Sequence, residues 1–257
     1  MSSTAVATAQ MGTIQMERKE RLFYLVAALV MICGVGVGFH MFYLRGLNDV
    51  GLPVTQQSAP LVYVHAGLMT CWMILFLSQC CLAVKGNRRL HMRLGGAAVV
   101  LYVLIVPIGT IAALLQIHYT GPQSFAPFGP YRFLTLPLTE IANFTLFVGS
   151  GFLFRRTPGL HRALMTIGTL SAAQAGIGRI GSIRNAFFQT SHAAFFATFW
   201  GPTVTAAFLL WLVKLAMTRR IDRYFSTALA LFVASGLVSR YVSITTWWLR
   251  LAQYITR

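Results

Sequence analysis

The chain has 257 residues, of which 56% are hydrophobic and only 10% charged. A soluble domain carries about 25% charged residues, so this composition excludes an ordinary water-covered globule. The net charge of +16 does not indicate nucleic-acid binding, because the basic residues fall between apolar runs and form no basic face; they read as topology signals and contacts to anionic lipid heads.

Residues 1–21 are small, polar and then basic, and are expected to form a disordered cytoplasmic N-terminus. The cluster Glu17-Arg18-Lys19-Glu20-Arg21 leads into an apolar run suited to a retained anchor. Residues 22–257 form the membrane domain. Seven spans are predicted, at 22–44, 60–84, 94–117, 134–154, 163–181, 193–216 and 224–247, each near the ~20 residues that cross a hydrocarbon core. In lipid each backbone polar group must be paired within its own segment, so long apolar runs are helices; the period-two alternation of an outer-membrane barrel is absent. The expected fold is therefore an all-α, seven-helix transmembrane bundle. The fifth span carries Thr166, Thr169, Ser171 and Gln174 and is expected inside the bundle.

Alternate loops differ in charge. One set holds Arg18, Lys19 and Arg21; Lys85, Arg88, Arg89 and Arg93; Arg155, Arg156 and Arg162; and Lys214, Arg219, Arg220 and Arg223. The other holds Arg45, Arg132, Arg179 and Arg184. The positive-inside rule places the richer set, and the N-terminus, in the cytoplasm. The C-terminus is then outside, with Trp247 and Trp248 in an outer aromatic belt. Cys33, Cys71, Cys80 and Cys81 lie within apolar runs and read as free thiols packed as small hydrophobes.

Polar residues within spans are the candidate site. His65, Met69, Trp72 and Gln79 recur at helical spacing and share one face of span two. Glu140 is the only acidic residue within a span, and an intramembrane carboxylate implies a partner; Arg179, at similar outer depth, is the expected one. Glu140, Arg179, Gln79 and Trp72 thus make a buried polar cluster. Pairing of Glu140 with Arg179 competes with a metal site built from Glu140 and some of His40, His65, His118 and His192, although no HxxxH or HExxH spacing supports the metal. Leu90-His91-Met92-Arg93-Leu94 and Leu160-His161-Arg162-Ala163-Leu164 form a weak internal repeat that relates spans two and three to spans four and five. His91 and His161 each begin a helix at the cytoplasmic face, so two imidazoles at equal depth can serve as axial metal ligands to one haem iron, with Arg93 and Arg162 meeting its propionates. The alternative is that each histidine sits in a basic interfacial turn against lipid phosphate or backbone carbonyls.

Gly38-Phe39-His40-Met41-Phe42-Tyr43, His65-Ala66-Gly67 with Trp72 and Gln79, Leu90-His91-Met92-Arg93-Leu94-Gly95 and Leu160-His161-Arg162-Ala163-Leu164-Met165 resemble a broad group of uncharacterised bacterial multi-pass membrane proteins. That group tends to carry an acidic residue where Glu140 stands and an arginine where Arg179 stands, and it implies a bacterial plasma-membrane location without an activity. Spans two to five also resemble the cytochrome b-561 core, a four-helix unit with a histidine near the start of each helix. By that resemblance His65, His91 and His161 match three of four haem-ligand positions. The fourth falls near Thr135, so only an inner His91–His161 haem b keeps both ligands. The turn at Leu160–Met165 is similar to one in membrane proteins that assist cytochrome oxidase assembly, which implies a respiratory membrane complex as partner. The reading that follows is a haem-binding, redox-linked membrane protein; its alternatives are a small-solute transporter, an assembly factor, and a lipid-acting membrane enzyme.

Overall fold

The computed structural model describes residues 3–48, 51, 53–119, 128–187 and 195–256, with side chains described from residue 16 and, in the last of these segments, from residue 199. Among these residues the chain is helical: α1 (Ser3–Gly38), α2 (His40–Arg45), α3 (Ala59–Val84), α4 (Arg88–Tyr119), α5 (Pro130–Leu153), α6 (Pro158–Ile177), α7 (Gly181–Phe187), α8 (Phe195–Thr218), α9 (Arg223–Ser243) and α10 (Thr246–Ile255). Six are long and apolar enough to cross a membrane: α1 from Met16, α3, α4, α5, α8 from Phe199, and α9.

Local sequence sets the boundaries. Pro60, Pro130 and Pro158 stand in the first turns of α3, α5 and α6, where a missing N–H costs nothing and the fixed φ favours helix. Gly129 reaches φ +82 just before α5, a conformation that a Cβ disfavours. Asp222 caps α9 by accepting from the N–H groups of Tyr224 and Phe225 at 2.9 and 3.1 Å.

Two expectations change here. α1 itself runs from Ser3; the Ala, Thr, Met and Gln residues at its start contain no proline to stop a helix. The first span ends at Gly38 rather than at residue 44, and the chain turns at Phe39 before the short α2. The last span ends at Ser243; Thr245 then accepts from the N–H of Trp248 and starts α10 as a separate helix. Trp248 is consequently buried, its indole donating to the Tyr131 carbonyl at 3.0 Å, whereas Trp247 stays exposed.

Neighbouring helices run antiparallel. Gln79 near the end of α3 meets His91 at the start of α4, and His65 near the start of α3 lies beside Gly109 in the second half of α4. Gly151 and Gly168 set α5 against α6, and Asn143 and Thr139 of α5 bond Ser235 and Ser239 of α9 in reverse order. α6 is the central helix, touching α1, α3, α5, α8 and α9. Its Thr166, Thr169, Ser171 and Gln174 are all buried, as its polarity led us to expect. Close approach is allowed by glycine: a Cβ on Gly38 would stand 1.9 Å from the Gly176 carbonyl oxygen, and one on Gly176 would stand 2.8 Å from the Val35 Cα. Small residues at such crossings let packing between backbones replace the hydrophobic drive that lipid does not supply.

Candidate functional site

The end of the bundle where α1 stops and α3 begins encloses a cavity of about 580 Å³, walled by α1 to α7, within the size range of small-molecule sites. Most of its wall is apolar, with Met69, Met73, Ile105 and Phe144 among the contributors. Among its polar groups are His65 from α3, Gln116 from α4, Glu140 from α5, and Arg179 and Arg184 from the α6–α7 region, with His40, Asn48 and the hydroxyls of Tyr43, Thr55, Ser58, Thr70 and Tyr119 around them.

Their bonding is incomplete within the protein. The Nδ1 of His65 and the Nε2 of Gln116 are buried with no hydrogen-bond partner. Arg179 donates from Nη1 to the Ala175 carbonyl at 2.7 Å, and its guanidinium lies 4.8 Å from the centre of the Phe39 ring. Glu140 and Arg179 both line the cavity, but among the described residues no ion pair within 4 Å joins them. The expected direct pairing is thus replaced by a carboxyl and a guanidinium facing a shared space. Buried polar groups in proteins are normally satisfied, so the unpartnered His65 Nδ1 and Gln116 Nε2 beside them single this cavity out as the candidate site.

The other residues expected at a site divide between two places. The polar face of span two does turn into the bundle. Trp72 is buried, donates to Thr169 Oγ1 at 3.3 Å and stands edge-on to Phe144 at 4.9 Å, so it is a helix-packing contact rather than a polar ligand. Gln79 lies at the other end of α3 and donates to the His91 carbonyl at 3.1 Å; the four-residue cluster is therefore two separate sites. His91 and His161 do each occupy the first turn of a helix, at the same end of the bundle. His161 Nδ1 bonds the Gly151 carbonyl at 2.8 Å, and His91 Nδ1 is buried without a partner. A carbonyl on Nδ1 is the usual support of a metal-ligating imidazole. Arg162 is not free for a haem propionate: it pairs with Glu20 at 2.8 Å and covers the Tyr24 ring, which commits it to α1. His65 belongs to the cavity at the opposite end. Among the described residues no group of three or more His, Cys, Asp or Glu side chains gathers to hold a metal ion; His40 instead bonds the Val37 carbonyl, and His192 lies outside the described residues.

Sequence reasoning missed two features. Gln116 interrupts the apolar stretch Leu114-Leu115-Gln116-Ile117, a signal that was available. Lys214, counted among the lipid-facing loop charges, is instead buried: it donates to Tyr24 Oη at 2.5 Å and to Asp222, within 5.4 Å of the ring centres of Phe23, Tyr24 and Phe225. Burial alone would raise the Asp222 carboxyl; the Lys214 hydrogen bond and charge, with the N–H groups of Phe225 and Tyr224, outweigh it and hold the carboxyl below its ordinary value.

Compared with known protein families, curated proteins and solved structures, the chain has no match. What the fold and site define is a class only: among the described residues, a helical protein with six helices fit to cross a membrane and a small-molecule-sized cavity between helices.

Proposed function

We propose that this chain is a seven-span bacterial plasma-membrane protein that binds a small amphiphilic solute in the cavity, as a transporter does. The observation that carries this is the set of cavity groups left unpaired with one another: Glu140, His65 Nδ1 and Gln116 Nε2, beside Arg179. Midway polar groups in an otherwise apolar wall are what a membrane carrier needs in order to hold a polar solute. α6 supplies the seventh crossing. Its 20 residues span about 30 Å, and its polar side chains face protein rather than lipid, so low hydropathy does not bar it from the membrane. With the N-terminus in the cytoplasm, the cavity belongs to the outer half, and Arg88, Arg89 and Arg93 meet anionic lipid heads at the inner face. A reporter fused after Arg220 should then be cytoplasmic and one after Thr256 external; the opposite pair of reports would remove α6 as a crossing, and reports from the same side would remove α9.

The binding reading is tested with an environment-sensitive apolar dye. Wild-type protein in a non-ionic detergent should take up the dye, and Ala112→Phe, on the cavity wall, should reduce uptake at least about tenfold by filling the space, an affinity loss of roughly 1.4 kcal/mol. Equal uptake by both proteins would sink the reading.

A second reading is favoured by one observation, the carbonyl-supported His161 facing the same end as the unpartnered His91. In it the two imidazoles hold a haem b, which supplies one-electron chemistry to a respiratory membrane complex. The chain's own part is to fix the His161 tautomer through Gly151 and to place His91 through Gln79. Protein expressed with ample haem should then show a low-spin spectrum that is lost in His91→Ala and in His161→Ala. Colourless protein would rule this reading out.

A further inference from the structure

Building on the cavity-binding reading, we infer that the cavity's ligand is a zwitterion with an apolar body, its ammonium group held by Glu140 and its anionic group by Arg179. The argument rests on a carboxyl and a guanidinium that share a cavity without closing on each other. In a low-dielectric site the attraction between unit charges is strong, and an arginine and a carboxylate free to meet there form a short pair. Here Arg179 is kept apart by other means. Its own helix takes one N–H at the Ala175 carbonyl, and the Phe39 ring supports the guanidinium plane. Among the described residues the guanidinium donates to the Ala175 carbonyl alone, so most of its five N–H donors face the cavity's contents, and no ion pair within 4 Å engages Glu140.

The alternatives by charge fare worse. A purely anionic ligand meets Arg179 and Arg184 but gives the Glu140 carboxyl no cationic partner. A purely cationic one meets Glu140 but faces two arginines. A neutral ligand displaces water from both charges and returns nothing to either. Only a molecule with both signs satisfies both walls at once. The cavity also holds apolar surface at Met69, Met73, Ile105 and Phe144, more than a small polar zwitterion would cover, so the ligand has an apolar portion. His65 Nδ1 and Gln116 Nε2 remain for its uncharged polar atoms. Two sources share this chemistry: a large apolar amino acid in free solution, and an aminophospholipid headgroup entering with its chains.

The test uses the full chain in non-ionic detergent, with displacement of the bound dye as the readout. Phenylalanine is compared with 3-phenylpropanoate, which lacks the ammonium, and with 2-phenylethylamine, which lacks the carboxylate. A short-chain phosphatidylethanolamine is compared with the matching uncharged diacylglycerol and with the matching phosphatidic acid. At least one zwitterion should displace the dye at a concentration ten or more times lower than its single-charge or neutral counterparts. Phenylalanine winning assigns a free solute, and phosphatidylethanolamine winning assigns a lipid. Glu140→Gln should abolish the advantage over the anion, and Arg179→Gln the advantage over the amine, with a cooperative thermal transition like the wild type's as proof of folding. If a variant does not fold, the ranking on wild-type protein decides alone. A zwitterion no better than its single-charge counterparts, or folded variants that leave the ranking unchanged, overturns the inference while leaving the cavity a binding site. Failure of the dye to bind the wild type overturns the cavity reading as well.

Discussion

Asp222→Ala is expected to lower the stability of the folded bundle by about 3–5 kcal/mol, the range for stranding one partner of a buried ion pair. Lys214 is only 2% exposed, so its ammonium would lose its counter-charge where water cannot replace it. The same change removes the acceptor for two N–H groups at the start of α9, worth about 1 kcal/mol. Asp222→Asn should cost less, because an amide oxygen can still cap. The double change Lys214→Met with Asp222→Asn should recover most of the loss, since an apolar side chain of similar length suits the rings of Phe23, Tyr24 and Phe225. Thermal unfolding in detergent measures all of these. Additive losses in the two single variants and the double would argue against coupling. The pH dependence has a definite sign. The folded Asp222 carboxyl lies below its ordinary value, so its contribution is present above the unfolded carboxylate range and is lost as pH falls through the folded value. The melting temperature should therefore drop on the acid side of pH 4 (roughly, the carboxylate range), and drop less in Lys214→Met.

Gly38→Ala is expected to be as damaging from a single added methyl. That carbon would sit 1.9 Å from the Gly176 carbonyl oxygen, a backbone atom that no rotamer change can move. α1 and α6 must separate, which places the loss at or above the upper end of the usual overpacking range, about 3 kcal/mol. Gly36→Ala is the control on the same helix, with nothing within 4 Å of its added carbon. It should be neutral or slightly stabilising, as alanine exceeds glycine in helix propensity by up to about 1 kcal/mol. If the two variants melt together, the α1–α6 approach is not as close as the fold requires. Because Arg179 and Phe39 lie just beyond this crossing, Gly38→Ala should also weaken dye binding in the cavity, whereas Gly36→Ala should not.

Sequence by itself determined the long helices and the placement of α6. Hydropathy and the need to pair every backbone group locally leave little freedom along each apolar run, and a run of polar side chains such as Thr166, Thr169, Ser171 and Gln174 is costly against lipid and turns toward other helices. It also singled out Glu140, Arg179 and His65, because polar groups are rare enough within apolar runs to stand out one by one. The break at Phe39 and the separate α10 were not legible, since Gly38 and Thr245 act through a neighbouring helix and a local cap that hydropathy does not register. Tertiary structure alone decided which polar groups meet. Gln79 and Glu140 look alike as polar residues inside spans, yet one finishes a helix junction and the other faces a cavity. Lys214 looks like any basic residue near a span end, yet it is sealed among three rings with Asp222. Those outcomes depend on rotation and crossing of helices far apart in the chain. Rotation and crossing are set by side-chain and glycine packing between helices, such as Gly38 on Gly176 and Gly168 against Val148, and not by the pattern along any one of them.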